Sequence, residues 1–333
     1  MTDMKTKKSS HQGGHGHHDK NSPESKALKK TNGKHPGNNH PFDPERRHGK
    51  RRRKHSQWGD VWFRLRKNKL AVIGMVLASV LILLAVFAPV LTPYSQETQD
   101  IQNQFQMPSW EHPLGTDNFG RDLLTRVLYG GRTSLLVAFM ALMFSVFVAI
   151  ILGAIAGYYG GMLEMVIMRM TDVIQSIPPV LLAVVVSAAL GSGVWQTAIA
   201  VGIAGVAPNM RLIRGQILAV RGEEYVEAAV AIGSSNIAVM FKQILPNVLS
   251  PLIVSASMGI GGNITAISGL SFIGLGVRPP ISEWGNIMTS GLEYIRRFWP
   301  MAVFPGIMIM LTLFAFNCFG DGLRDALDPK LKH

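Results

Sequence analysis

The chain has 333 residues, 47% of them hydrophobic and 16% charged, with a formal net charge of +12. That apolar excess and the scarcity of charge point to a membrane protein. One cysteine, Cys318, excludes an internal disulfide framework and a thiolate metal cluster.

The charge is concentrated at the start of the chain. Residues 1–69 hold 19 of the 33 Lys and Arg but 6 of the 21 Asp and Glu, so the high pI belongs to a tail. Residues 1–57 are rich in Lys, His, Gly, Asn, Ser and Pro. They bury too little apolar surface to offset ordering entropy, which predicts a disordered, basic, His-rich cytoplasmic tail. His11, His15, His17 and His18 cluster there and could bind a transition metal, although polar filler is the simpler account. Residues 50–54 are five consecutive basic residues, suited to anionic membrane lipid and to topology control. Nucleic acid is the weaker partner, because no folded basic module accompanies the run. The first long apolar run starts near residue 70, too late for a cleaved signal peptide, so the tail is expected to be retained.

Six uncharged stretches approach the roughly 20 residues that a membrane span needs. They lie near 70–91, 134–156, 173–190, 194–210, 248–273 and 299–319. Thr92-Pro93 ends the first, and Gly191-Ser192-Gly193 is the turn between the third and fourth. Pro178-Pro179 predicts a kink or break in the third, since both residues lack a backbone donor. With the N-terminus inside and the tail counted from Lys50, 17 Lys and Arg fall inside and 6 outside. Both termini are therefore expected in the cytoplasm. The expected fold is an all-α polytopic membrane protein with six transmembrane helices.

Ahead of the second span stand Gly115, Thr116, Asp117, Gly120, Arg121 and Asp122, with Arg126, Gly130 and Arg132 beyond. Thr116 or Asp117 can cap a helix. Asp117 with Arg121, and Asp122 with Arg126, fall at i,i+4 spacing. Leu123, Leu124, Val127 and Leu128 make one apolar face. This predicts an amphipathic helix over 117–130, lying on the outer surface.

The longest internal cytoplasmic loop, 211–247, contains a second pattern over 223–247. Glu227, Ala228 and Ala229 open a predicted helix to Ile232, which Gly233 can end in the left-handed region. Ser234, Ser235 or Asn236 can cap a second helix to about Ile244, and Leu245-Pro246 marks the next boundary. Such a rigid hairpin transmits motion as a lever. In the fifth span, Ser255, Ser257, Asn263 and Thr265 are candidate translocation-path residues, and its glycines favour close helix packing. The span cores carry no Asp, Glu or His to support an intramembrane hydrolase, and no Walker A pattern occurs, so neither a catalytic residue nor bound ATP is expected. No metal site is expected in the spans.

The Glu227-Ala228-Ala229, Gly233 and Leu245-Pro246 pattern resembles the Glu-Ala-Ala motif of ABC importer permeases. Gln243 departs from it, standing where many members carry an apolar residue. The Gly115–Asp122 motif, the run Leu270-Ser271-Phe272-Ile273-Gly274-Leu275-Gly276 with Pro279-Pro280 and Trp284-Gly285, and the C-terminal segment from Asn317 through Asp321 to Pro329 are similar to the dipeptide, oligopeptide and nickel branch. Over residues 58–332 the chain resembles its C-type subunit. The resemblance implies a type I ABC importer transmembrane domain and no cofactor of its own. It implies a homologous B-type permease partner, two ABC ATPase subunits that use ATP and Mg, and an extracytoplasmic solute-binding protein. It also implies a prokaryotic cytoplasmic membrane location. Residues 223–247 would then dock on an ATPase, which neither a channel nor a receptor requires. Peptide is the favoured cargo, with nickel or another metal complex as the alternative.

Overall fold

A computed structural model describes residues 57–327. The tail with its His cluster, the basic run at 50–54, and Asp328, Pro329, Lys330 and Lys332 at the C-terminus lie outside the described residues. Among the described residues there is no strand, and one isolated bridge joins Thr116 to Asp122.

Helix α1 (Gln57–Lys67) leads into α2 (Lys69–Val86), and Asn68 separates them. Its side-chain oxygen accepts from the backbone N–H groups of Leu70 and Ala71 at 3.1 and 3.3 Å, satisfying donors that a helix start leaves free. A single turn, Ala88–Leu91, extends α2 and stops at the extended Thr92. Helix α3 (Leu123–Tyr159) then runs for 37 residues, about 55 Å.

Helix α4 (Gly161–Gln175) and α5 (Pro179–Leu190) meet at a bend of 88°. The break expected at Pro178-Pro179 is thus present, and the apolar stretch 173–190 divides over the two helices. Residue 178 is extended, as a position before proline prefers, and neither proline donates a backbone hydrogen bond. Helix α5 keeps 12 residues, about 18 Å, less than a hydrocarbon core is thick.

Helix α6 (Val194–Arg221) carries the fourth predicted stretch and continues through Arg211, Arg214 and Arg221. It packs against α3 over two glycines. A Cβ on Gly153 would lie 3.0 Å from Ile213, and one on Gly157 would lie 2.9 Å from Ile217. Small residues four apart thus let two long helices approach closely. Two ion pairs, Glu164 with Arg214 and Asp172 with Arg211, tie α4 to α6.

The short α7 (Glu224–Ala231) precedes α8 (Asn236–Phe272), which includes a π-helical turn, Met240–Ile244. The expected boundary at Leu245-Pro246 is a change from π to α winding and not a break, so the second arm of the hairpin and the span form one helix. The wide turn lets Leu245 N–H reach Met240, and Pro246 follows in a first-turn position where no donor is needed. Helix α9 (Trp284–Glu293) and α10 (Pro300–Leu327) complete the described chain.

Four of these helices, α2, α3, α8 and α10, are long and apolar enough to cross a membrane; the bent pair α4–α5 would be a fifth only if it is taken as one broken span instead of a re-entrant loop. The predicted stretch at 194–210 lies on α6, which is not among them. The protein is an all-α polytopic membrane protein. Its core has two main centres. One joins Leu123 and Val127 of α3 to Trp284, Ile287 and Phe298. The other joins Ile213 and Ile217 of α6 to Val226, Val239 and Ile244.

Candidate functional site

The two sequence motifs sit at opposite ends of α3. At its start, residues 117–122 form a loop, which corrects the predicted helix over 117–130. Asp117 is fully buried, and its Oδ1 accepts from the N–H groups of Phe119 and Arg121 at 2.8 and 3.0 Å. These bonds offer the backbone an alternative to helix. Gly120 adopts φ +71°, and a Cβ there would collide with the Asp100 carbonyl. The helix begins one turn later. Asp122 caps it, accepting from Thr125 N–H and Oγ1 at 2.7 and 2.6 Å.

The ion pairs follow the loop. Asp117 Oδ2 accepts from Arg121 Nε at 2.7 Å, the expected partner, and from Arg126 Nη1 at 2.5 Å. Arg126 was expected to pair with Asp122. Asp122 instead receives His112 Nδ1 at 2.9 Å. Gly115, Thr116, Asp117, Gly120, Arg121 and Asp122 are all buried, so the motif is a packed interior and not an amphipathic surface.

This cluster extends across the fold. Arg126 Nε reaches Ser282 Oγ at 3.4 Å, and next to it lies Glu283, fully buried. Glu283 accepts from Ser134 Oγ of α3 at 2.9 Å and from Ser271 Oγ of α8 at 2.8 Å. It also accepts from the N–H groups of Gly285 and Asn286, both at 2.9 Å, at the start of α9. Trp284 donates Nε1–H to the Val127 carbonyl at 2.8 Å, and its ring lies where a Cβ on Gly131 would approach to 2.7 Å. Glu283, Ser134 and Ser271 escaped the sequence reading as a site. Glu is outside the usual N-cap set, and its hydroxyl partner Ser134 is 149 positions away. With four donors on Asp117 and four on Glu283, the carboxylates are occupied. The arrangement is a clamp that fixes α3, α8 and α9 at one end of the bundle.

At the other end α7 and the start of α8 form the hairpin. Gly233 stands at φ +82°, and the N–H of Ser234 reaches Ala229 across the turn at 3.1 Å. Among the three candidate caps it is Ser235 that acts, its Oγ accepting from Ala238 N–H at 3.3 Å. Val226 and Ala229 are buried, while Glu227, Ala228 and Leu245–Pro246 lie at or near the surface. Tyr158 donates to Asn236 Oδ1 at 3.0 Å, and Asn247 Nδ2 donates to Tyr225 at 3.1 Å. These bonds brace the hairpin against α3 and α8. Beside it lies a cleft of about 570 Å³ lined by Tyr158, Tyr159, Arg221, Glu227 and Val230. Ile232 at the hairpin tip is 83% exposed.

The four path candidates do not converge. Ser255 lines a cavity of about 450 Å³ with Gln216, Met258 and Arg324. Ser257 and Thr265 donate to carbonyls of their own helix, Val254 and Gly261. Asn263 donates to the Ala138 carbonyl of α3 at 3.1 Å. At about 100° per residue, these positions point in four directions around α8.

Residues 149–333 match the family described as binding-protein-dependent transport system inner membrane component. Residues 56–108 match the N-terminal transmembrane domain of oligopeptide transport permease C. The chain is 43% identical over 277 residues to the dipeptide transport system permease protein of Alkalihalophilus pseudofirmus, covering 83% of this chain and 91% of that one. It is 35% identical to the oligopeptide transport system permease protein of Bacillus subtilis, with the same two coverages. It is 38% identical to the glutathione transport system permease protein of Pectobacterium atrosepticum over 83% of this chain and 92% of that one. Across nearly all its described length, from α1 to α10, the chain thus belongs to the inner membrane components of binding-protein-dependent ABC importers, permeases whose ATP hydrolysis resides in separate subunits.

Proposed function

We propose that this chain is the C-type permease of an ATP-driven peptide importer. It forms half of the translocation path with a homologous B-type permease, and receives force from two ABC ATPases that use ATP and Mg. An extracytoplasmic solute-binding protein delivers the cargo. Both termini lie in the cytoplasm of a prokaryotic cell, which puts the hairpin on the ATPase side and the clamp on the binding-protein side.

The observation that carries this reading is the continuity of α8. Its first turns build the hairpin, and the same helix crosses the membrane to the Ser271–Glu283 clamp. A push on Glu227, Ala228, Ala229, Gly233, Leu245 or Pro246 therefore acts on a hairpin whose second arm continues as one helix to the clamp. Rocking of two such halves gives alternating access. Of the path candidates, Ser255 is the best supported, because it lines a cavity of about 450 Å³. Peptide is favoured over nickel because the dipeptide and oligopeptide relatives are similar over most of their length.

The test is complementation. Cells lacking this chain should regain uptake of labelled di- and oligopeptides when it is restored. Restored nickel uptake without peptide uptake would reject the peptide assignment.

A further inference from the structure

We propose that the groove between α2, α3, α8 and α10 binds one anionic phospholipid, with its phosphate on Arg132 and an acyl chain along the apolar floor. The groove is about 410 Å³, within the range of small-molecule sites, and Val86, Arg132, Leu136, Phe139, Ile260 and Phe316 are among its lining. Arg132 is its one charged lining residue. Arg132, Leu136 and Phe139 fall at i, i+4 and i+7, so they form one stripe that runs inward from the cation for about 10 Å.

Arg132 differs from its neighbours in the same motif. Arg121 and Arg126 are buried on Asp117. Arg132 is exposed, and among the described residues it has no ion pair and no side-chain hydrogen bond. It shares the groove with Val86, in the last turn of α2 before the Ala88–Leu91 extension. A cation at the end of a span lies where headgroups lie, with its apolar stem along the protein and its charge available to a phosphate. One cation at the mouth and hydrocarbon beneath it match an amphiphile carrying a phosphate. A helix from another subunit would have to bring an acid to that depth. The proposal does not depend on the cargo, so it stands or falls separately from the peptide assignment.

The test uses the full chain purified in mild detergent with the subunits that accompany it. The sample is stripped of loose lipid and titrated with phosphatidylglycerol or phosphatidylcholine, and retained lipid is counted by native mass spectrometry. Wild type should prefer phosphatidylglycerol. Arg132→Gln should weaken its binding about fivefold, the scale of one cation–headgroup attraction, and erase the preference. Arg132→Lys should keep most of it. Leu136→Trp, which fills the floor and leaves the charge, should also reduce retention. Equal phosphatidylglycerol binding by wild type, Arg132→Gln and Leu136→Trp would overturn the proposal. A photo-crosslinking residue at Phe139 supplies the second arm. Capture of lipid is expected, and capture of another polypeptide would assign the groove to a protein partner instead.

Discussion

The two ends of α3 use polar residues in opposite ways. At the clamp end, charges are buried and every carboxylate named above is met by donors. Asp117, Asp122 and Glu283 together receive two arginines, a histidine, hydroxyls and helix-start N–H groups. At the hairpin end, polar and apolar groups stay at the surface, held by a few braces such as Tyr158 to Asn236. The first pattern locks helices to one another. The second leaves an accessible surface, which the proposed coupling role requires. A lever needs both: a fixed far end and an accessible near end.

The sharpest way to break the contrast is to remove the clamp's central acid. Asp117→Ala leaves Arg121 and Arg126 buried without their carboxylate. Orphaning a buried ion pair costs about 3–5 kcal/mol, so we predict a large loss of folded protein. Thermal unfolding of detergent-solubilised protein reads this directly, and a melting temperature equal to wild type would show that the cluster is not structural. Arg121→Ala should cost less, because Arg126 still meets Asp117, yet uptake should fall; unchanged uptake would remove Arg121 from any transport role.

The next effect belongs to the hairpin. Gly233→Pro forces φ from +82° to near −65° and deletes the N–H that reaches the Val230 carbonyl at 2.9 Å. The local cost is about 3 kcal/mol, which unmakes the turn without touching the clamp. Insertion should be normal while uptake is lost and ATPase co-purification drops. Full uptake in this variant would sink the lever. Glu227→Ala should act in the same direction but more weakly, since it removes one surface contact and leaves the helix.

How legible these ends were depends on how local their causes are. The hairpin could be read because its signals lie within a few residues: Glu and Ala, then Gly, then a serine cap. The helix over 117–130 was misplaced because i,i+4 spacing fits a helix and a tight loop alike. Asp117 and Arg121 do pair, but the Asp117 side chain bonds the backbone of Phe119 and Arg121 and holds the loop. Glu283 was invisible as a site, since its meaning comes from Ser134 and Ser271 on two other helices. Ser255, Ser257, Asn263 and Thr265 were grouped by residue type, and type does not say which way a helical side chain points. Pro178-Pro179 announced a break, but not a bend of 88°.

A subtler change tests whether the clamp depends on its uncharged donors. Glu283→Gln keeps the shape but replaces one oxygen with an NH2, which faces donors it cannot accept from. Two of the four bonds are at risk, and leaving buried donors unpaired costs about 1–3 kcal/mol. The melting temperature should fall by less than in Asp117→Ala, and peptide uptake should fall with it. A stability loss as large as that of Asp117→Ala would mean that Glu283 holds the cluster together, and Asp117 only contributes.

The smallest change separates the ends most cleanly. Ser235 is exposed, and its hydroxyl makes one bond, to Ala238 N–H at 3.3 Å. Ser235→Ala should cost about 1 kcal/mol by losing that cap. Global unfolding is set by the core and should scarcely move, so the loss should appear as local opening. Hydrogen exchange at the amides of residues 236–239 should quicken about fivefold, the equivalent of that cost. Exchange at 123–127 should not change, because the clamp shares no bond with the cap. If both ends quicken together, the hairpin and the clamp open as one cooperative unit, and a push at one end would then melt the helix instead of moving it.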